Sequence, residues 1–302
     1  MHTEIQLVEQ QLNRIILGKP QQIRLALTCL LAEGHLLLED LPGMGKTTLA
    51  HALAESLGLS YRRVQFTSDL LPADLTGFSI FDARSQQFSF QPGPVFSQVL
   101  LADEINRASP KTQSALLEAM EEHQVSVDGE TRPLPAPFFV IATQNPLFHS
   151  GTNALPESQL DRFLIRLSLG FPDRDAELQL LQQDCSASQH KIVPALLSTE
   201  RLIALQQQIP KQQISNEVLG YVLDLIGHSR KRSDMLPLSP RAAKGLVRAA
   251  KAYAFLQQRS FVTADDIQAV FPAVAEHRLQ PRQQQQFAGL AQQLLLETPC
   301  LV

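Results

Sequence analysis

The chain has 302 residues, 44% hydrophobic and 19% charged, with 15 phenylalanines, three tyrosines and no tryptophan. That length accommodates two domains with sizeable cores. The formal net charge of −4 gives no global attraction toward nucleic acid.

Taken in chain order, apolar residues recur at helical spacing from Ile5 to Ile16, and a second helix is predicted from Pro20 to Ala32. HLLLE, ending at Glu39, reads as a short strand buried on both faces, as parallel sheets require. A loop with two glycines follows, then an amphipathic helix from Thr47 to Leu57 that stops at Gly58. YRRVQF is the next strand. The stretch from Asp69 to Phe96 mixes Pro, Gly and alternating apolar residues, so it is expected to hold a short helix and a hairpin. QVLLADE is another buried strand, and Ser109-Pro110 supplies an N-cap with proline at the first helical position of a helix through Glu122. QVSVDGETRPL is a hairpin turning at Asp128-Gly129. FFVIATQN is a buried strand with a polar end, followed by a short helix over Glu157–Phe163.

Beyond Phe171-Pro172 the strand signals stop. Helices are predicted over Asp173–Ser186, Thr199–Gln208, Asn216–Lys231, Pro240–Gln257 and Ala264–His277, the last opened by a capping box of Thr263 and Asp266. The tail from Gln280 to Gln285 is glutamine-rich, and LAQQLLL after it suggests one more helix. The division is therefore an α/β unit over 1–170, with hairpin insertions near 66–96 and 124–137, and a helical unit over 171–302. Residues 1–170 carry 12 basic and 18 acidic side chains, the remainder 14 and 12.

Cys29, Cys185 and Cys300 share no metal or redox spacing, and an odd number argues against a disulfide framework. The amino terminus MHTEIQLVEQ lacks a basic-then-apolar signal pattern, and no apolar run nears the ~20 residues that span a bilayer. A soluble, cytoplasmic protein is expected.

The loop DLPGMGKTT has the chemistry of a phosphate cradle. Glycines at 43 and 45 permit tight turns that point backbone N–H groups inward, assisted by the positive end of the next helix. Pro42 would stiffen the loop, Met44 lies within it and Thr48 closes it; Lys46 would reach the β- and γ-phosphates of ATP and Thr47 would ligate Mg2+. Asp40 stands where a glycine usually opens this pattern, and its carboxylate is free either to bond loop amides or to point away. Downstream, Asp103 and Glu104 end a buried strand. Two carboxylates there suit two tasks, one for the magnesium shell and one to orient and deprotonate a water.

LPGMGKTTLA, LLADEINRASPKTQSALLEAM, FVIATQNP, LPESQLDRFLIRL and LSPRAAKGLVRAA together resemble MoxR-type AAA+ ATPases, in that order and over nearly the whole chain. The resemblance implies a P-loop NTPase fold, an αβα core on a parallel sheet followed by a small all-helical lid. It implies that Asn145 is the sensor that positions water. Arg162 would be the arginine finger presented to a neighbouring subunit, with Arg166, a turn away if the segment stays helical, as its rival. A surface ion pair is the plain alternative for Arg162 and Arg166. Arg241, in the first turn behind the Ser239 cap, would be the second sensor, its plain alternative a partly exposed arginine that tolerates the helix dipole. Arg107 either helps hold the pocket between subunits or makes a simple salt bridge. His149 is the one histidine near the site. The implied assembly is a ring, expected as a hexamer, that remodels a protein client, with von Willebrand factor A domain proteins among its partners. The small Arg230-Lys231-Arg232 cluster keeps open an alternative as a nucleic-acid motor, and a scaffold that binds ATP with little turnover is a third reading.

Overall fold

A computed structural model of the chain describes residues 2–84, 86–145, 153–184, 193–279 and 289–300. His149, Cys185 and the 280–285 tail lie outside the described residues. The strands are Leu36–Glu39 (β1), Tyr61–Gln65 (β2), Gly77–Asp82 (β3), Gln87–Pro92 (β4), Val99–Asp103 (β5), Gln124–Val127 (β6), Glu130–Pro133 (β7), Phe139–Gln144 (β8) and Ile165–Leu167 (β9). The helices are His2–Ile15 (α1), Pro20–Leu31 (α2), Lys46–Ser56 (α3), Pro72–Thr76 (α4), Pro110–Glu122 (α5), Glu157–Leu160 (α6), Arg174–Asp184 (α7), Thr199–Gln206 (α8), Asn216–Lys231 (α9), Pro240–Leu256 (α10), Ala264–Ala275 (α11) and Leu290–Glu297 (α12).

Five strands form one sheet in the order β2-β5-β8-β1-β9, and every pairing is parallel. Parallel strands end on one edge, so Glu39, Gln65, Asp103 and Gln144 come together there: Gln65 registers with Asp103, and Glu39 with Gln144. Within each strand the side chains alternate between two apolar layers. Leu36, Leu38, Val99, Leu101, Phe139 and Ile141 pack into one; Leu37, Leu100, Ala102, Val140 and Ala142 pack into the other, with Phe66, Leu116, Leu117 and Phe163. The first layer runs without a break into the later helices, through Leu202, Leu225, Leu246, Phe255 and Phe271. The carboxyl-terminal helices thus share their core with one face of the sheet.

The β3–β4 and β6–β7 hairpins are antiparallel two-stranded units outside this sheet. Asp128 and Gly129 both have positive φ, 54° and 80°, the pairing a tight right-twisted hairpin turn needs. The β3–β4 hairpin exposes Phe78, Ile80, Phe81 and Phe88, and Arg132 of β7 stacks over Phe90 of β4 at 4.1 Å.

One expected element is wrong. The short helix expected over Glu157–Phe163 ends at Leu160, and Ile165–Leu167, for which no strand is predicted, form β9 beside β1. Three residues are too few to declare a strand period, and tertiary pairing decides the matter: the Leu164 amide donates to the His35 carbonyl at 2.9 Å. Arg166 is therefore a strand residue, not one helical turn beyond Arg162. Among the described residues no helix is long and apolar enough to cross a membrane.

Candidate active site

Between β1 and α3 the chain turns at Gly43 and Gly45, with φ of 84° and 85°. Side chains are strained in that left-handed region, and no atom lies within 4 Å of where a Cβ would sit at either position. The loop is an open concavity. It leads into α3, which starts at Gly45 without a side-chain cap, whereas Ser109, Ser198, Ser215 and Ser239 cap α5, α8, α9 and α10. The first amides of a helix lack intrahelical acceptors, so those of α3 stand at the loop with the helix dipole behind them.

Lys46 Nζ donates to the Asp40 carbonyl at 2.6 Å. Burial lowers its pKa, and Asp40, Asp103, Glu104 and Glu39 pull against that by favouring the ammonium form. The Asp40 side chain faces away from the loop. Its carboxylate accepts from Ser168 Oγ at 2.7 Å, the Gly170 amide at 3.2 Å and the Leu169 amide, and the residue is 6% exposed. Asp40 is thus a strut tying the end of β1 to the chain leaving β9, and its carboxylate leaves the cradle clear.

At the tip of β5, Asp103 Oδ1 accepts from Thr143 Oγ1 at 2.6 Å, and Oδ2 accepts from Arg63 at 2.5 and 3.2 Å. Thr143 Oγ1 also receives the Glu104 amide at 2.9 Å. Glu104 has φ 56° and ψ 50°, an uncommon backbone for a residue with a side chain and one that clusters at functional sites. Its Oε2 accepts from Gln65 at 2.7 Å and from Arg107 at 2.8 Å. Asn145 follows the end of β8, half-buried on the same edge. Glu39, also here, pairs with Arg166 at 2.7 Å.

Arg162 and Arg241 are elsewhere. Both reach Glu121, at the end of α5: Arg162 to Oε2 and Arg241 to Oε1, each at 3.1 Å. They line a cavity with His35, Lys244, Arg248 and Arg278. His35 precedes β1, so this cavity opens at the amino-terminal edge of the sheet, and a four-residue strand alone puts roughly 13 Å between it and the loop. Arg278, 6% exposed at its side chain, donates to Asp161 at 2.6 Å and to the Phe163 carbonyl at 2.7 Å, while Ser239 Oγ donates to Asp161 at 3.2 Å. These bonds lock the loop that carries Arg162 against the start of the helix that carries Arg241. His35 is held here too. The Val140 amide donates to its Nδ1, so Nε2 carries the proton and donates to the Met120 carbonyl. Burial pushes its pKa down to about 4.

The structure therefore gathers Pro42, Gly43, Met44, Gly45, Lys46, Thr47, Thr48, Asp103, Glu104 and Asn145 at one edge and places Arg162 and Arg241 at the other. Sequence reasoning missed Gln65, Arg63, Thr143 and Glu121. The signal for Gln65 and Thr143 is a polar side chain at or next to the carboxyl end of a parallel strand; Arg63, in the middle of the partly exposed β2, and Glu121 have no such signal. The donors present suit a polyphosphate and its divalent ion: an open glycine turn, uncapped helix amides, an ammonium, a hydroxyl at Thr47 and a carboxylate at Asp103.

Comparison with known proteins places these residues in context. Residues 35–165 match the family model of the ATPase family associated with various cellular activities (AAA), and residues 235–297 match the AAA lid domain. The Bacillus subtilis protein YeaC is 44% identical over 282 residues, 93% of this chain and 88% of that protein. The chaperone MoxR1 of Mycobacterium tuberculosis is 38% identical over 89% of this chain and 74% of its own length. A crystal structure of a protein from Cytophaga hutchinsonii superposes with a TM-score of 0.90 at 33% identity, covering 99% of this chain and 94% of that one.

Proposed function

The chain belongs to the MoxR family of AAA+ ATPases, and from that premise we propose that it hydrolyses ATP at sites shared between neighbouring subunits of a ring, taken as a hexamer, to remodel a protein client. The observation that carries the shared site is the separation of its halves. Arg162 and Arg241 share Glu121 at the sheet edge opposite their own phosphate loop, which supports their meeting a nucleotide held by another copy.

In this reading the ATPase core spans residues 1–170 and the lid spans 171–302. Backbone amides between Pro42 and Thr48 and the Lys46 ammonium bind the β- and γ-phosphates. Thr47 and Asp103 would hold magnesium, which supplies charge neutralisation across those phosphates. Gln65 and Arg107 aim the Glu104 carboxylate, which orients the attacking water and accepts its proton. Asn145 positions that water. The neighbour's Arg162 and Arg241 neutralise charge on the transferred phosphoryl group, a contribution of about 10³–10⁵ for a finger of this kind.

A protein client is supported by the name of the chaperone MoxR1 and by the exposed phenylalanines of the β3–β4 hairpin; von Willebrand factor A domain proteins are the partner class that the family resemblance adds, and the cytoplasm is the proposed compartment. A nucleic-acid motor is the weaker reading: Arg232, in its small basic cluster, is already held by Asp234 and Glu297. The test is turnover per subunit across a dilution series. It is expected to fall with disassembly; turnover independent of concentration and of assembly state contradicts a shared site.

A further inference from the structure

Among the described residues, two exposed apolar surfaces lie at opposite edges of the molecule and complement each other. The first is α7. Among its described side chains only Ala176 is buried, beside Gly18. Leu178, Leu180 and Leu181 are 54%, 41% and 67% exposed, and Asp175 and Glu177 stand in its first turn. Leu178 and Leu181, three apart, share a face. A helix of 11 residues is marginal in water without an apolar face to pack. This one leaves the sheet just after Leu169 and Gly170, whose amides hold Asp40 beside the phosphate loop.

The second is an apolar groove of about 670 Å³ between α9 and α10. Leu219, Leu223 and Val247 line it, and Lys244, Arg248 and Lys251 run along one side of it. Leu223 is 65% exposed. The groove shares Glu33, Lys244 and Arg248 with the cavity that holds Arg162 and Arg241, so it is continuous with the arginine edge.

We infer that α7 of one protomer docks in this groove of the next copy of the same chain. The inference rests on the shared-site reading above. Leucines meet an apolar floor and an acidic first turn meets a basic rim, which is complementarity in both hydrophobicity and charge. The placement also agrees with the chemistry. α7 follows the segment that holds Asp40 beside the phosphate loop and the groove adjoins the arginines, so a single head-to-tail contact brings both pairs together. Such a heterologous contact builds a ring when its rotation closes.

The experiment uses two full-length variants at exposed positions, Leu181→Asp on the helix and Leu223→Asp at the groove, sized with ATP and magnesium by sedimentation velocity. Each alone should need at least ~10-fold more protein than wild type to assemble, while its monomer binds a fluorescent adenine nucleotide as wild type does. Mixed together they should form a 1:1 dimer, because the intact helix of the Leu223→Asp chain meets the intact groove of the Leu181→Asp chain and nothing can add further. A mixture that stays monomeric overturns the inference. So does a wild-type assembly size in either variant alone, which would assign the two faces to a different occupant and leave the shared-site reading standing. A wild-type chain that never assembles removes that reading and the inference together.

Discussion

The two edges of the sheet hold charge in different ways. At the carboxyl-terminal edge the carboxylates already have cations: Asp103 has Arg63, Glu104 has Arg107, Glu39 has Arg166, and Lys46 stands among them. The anion-binding capacity proposed for it comes from backbone amides at an open turn. At the amino-terminal edge Arg162, Arg241, Lys244, Arg248 and Arg278 line one cavity with Glu33, Glu121 and Asp161, so side-chain cations are in surplus there. One edge becomes strongly negative once a polyphosphate sits in it, and the other is positive without one. In the proposed reading neither is a complete phosphoryl-transfer site, and each holds what the other needs.

The comparison is broken most forcefully at the arginine edge. Arg162→Ala should lower turnover about 10³-fold while nucleotide affinity of the isolated protomer, read by fluorescence titration, stays at the wild-type value. Glu104→Gln should lower turnover about 10²-fold, retain ATP and stabilise the assembly. If Arg162→Ala weakened binding to the monomer, its guanidinium would have to reach its own nucleotide, and the division between edges would fail.

Acid should loosen the arginine edge. Among the described residues two histidines are buried and both belong to it, His35 through Met120 and Val140 and His277 through Phe163. Burial lowers both pKa values, His35 from 6.5 to about 4. The unfolded chain binds the extra proton in that window, so this contribution is complete above pH 6.5 and is lost as pH falls toward 4. Between pH 6.5 and 5 the loss is about 2 kcal/mol for His35, with His277 adding in the same direction. Urea midpoints at pH 7 and pH 5 check this; equal midpoints contradict it.

How much of this was legible in the sequence follows from the same contrast. The loop edge is made of contiguous stretches, LLLEDLPGMGKTT, LLADE and FVIATQN, each a strand followed by its candidate residues, so strand, loop and candidate residues were read together. The arginine edge is assembled from residues 33–35, 120–123, 161–164, 241–248 and 278, and nothing local announces that Glu121 stands between Arg162 and Arg241. β9 was missed because three residues carry no period. Asp40 was left open between two roles, and the deciding partners, Ser168 to Gly170, lie about 130 positions away.

Smaller effects sharpen the picture. Asp40→Ala removes a buried acceptor from two backbone amides and a hydroxyl and should cost about 1–3 kcal/mol of stability, measured by chemical denaturation. Nucleotide affinity should change little, because the carboxylate points away from the cradle. Glu121→Gln keeps the shape but removes the charge that holds both arginines, so turnover of the assembled protein should fall by about three- to tenfold through looser positioning; an unchanged rate would mean that Asp161 and Arg278 set their orientation unaided.

The most direct test of a site divided between copies is complementation. Glu104→Gln leaves a chain with a dead phosphate edge and intact arginines; Arg162→Ala with Arg241→Ala leaves the reverse. Each alone should be inactive. Mixed in equal amounts under assembling conditions they should regain about a quarter of wild-type turnover, the fraction of junctions that pair an intact cradle with an intact neighbour in a randomly mixed head-to-tail ring. A mixture as inactive as its components, in assemblies shown to contain both chains, would contradict the account.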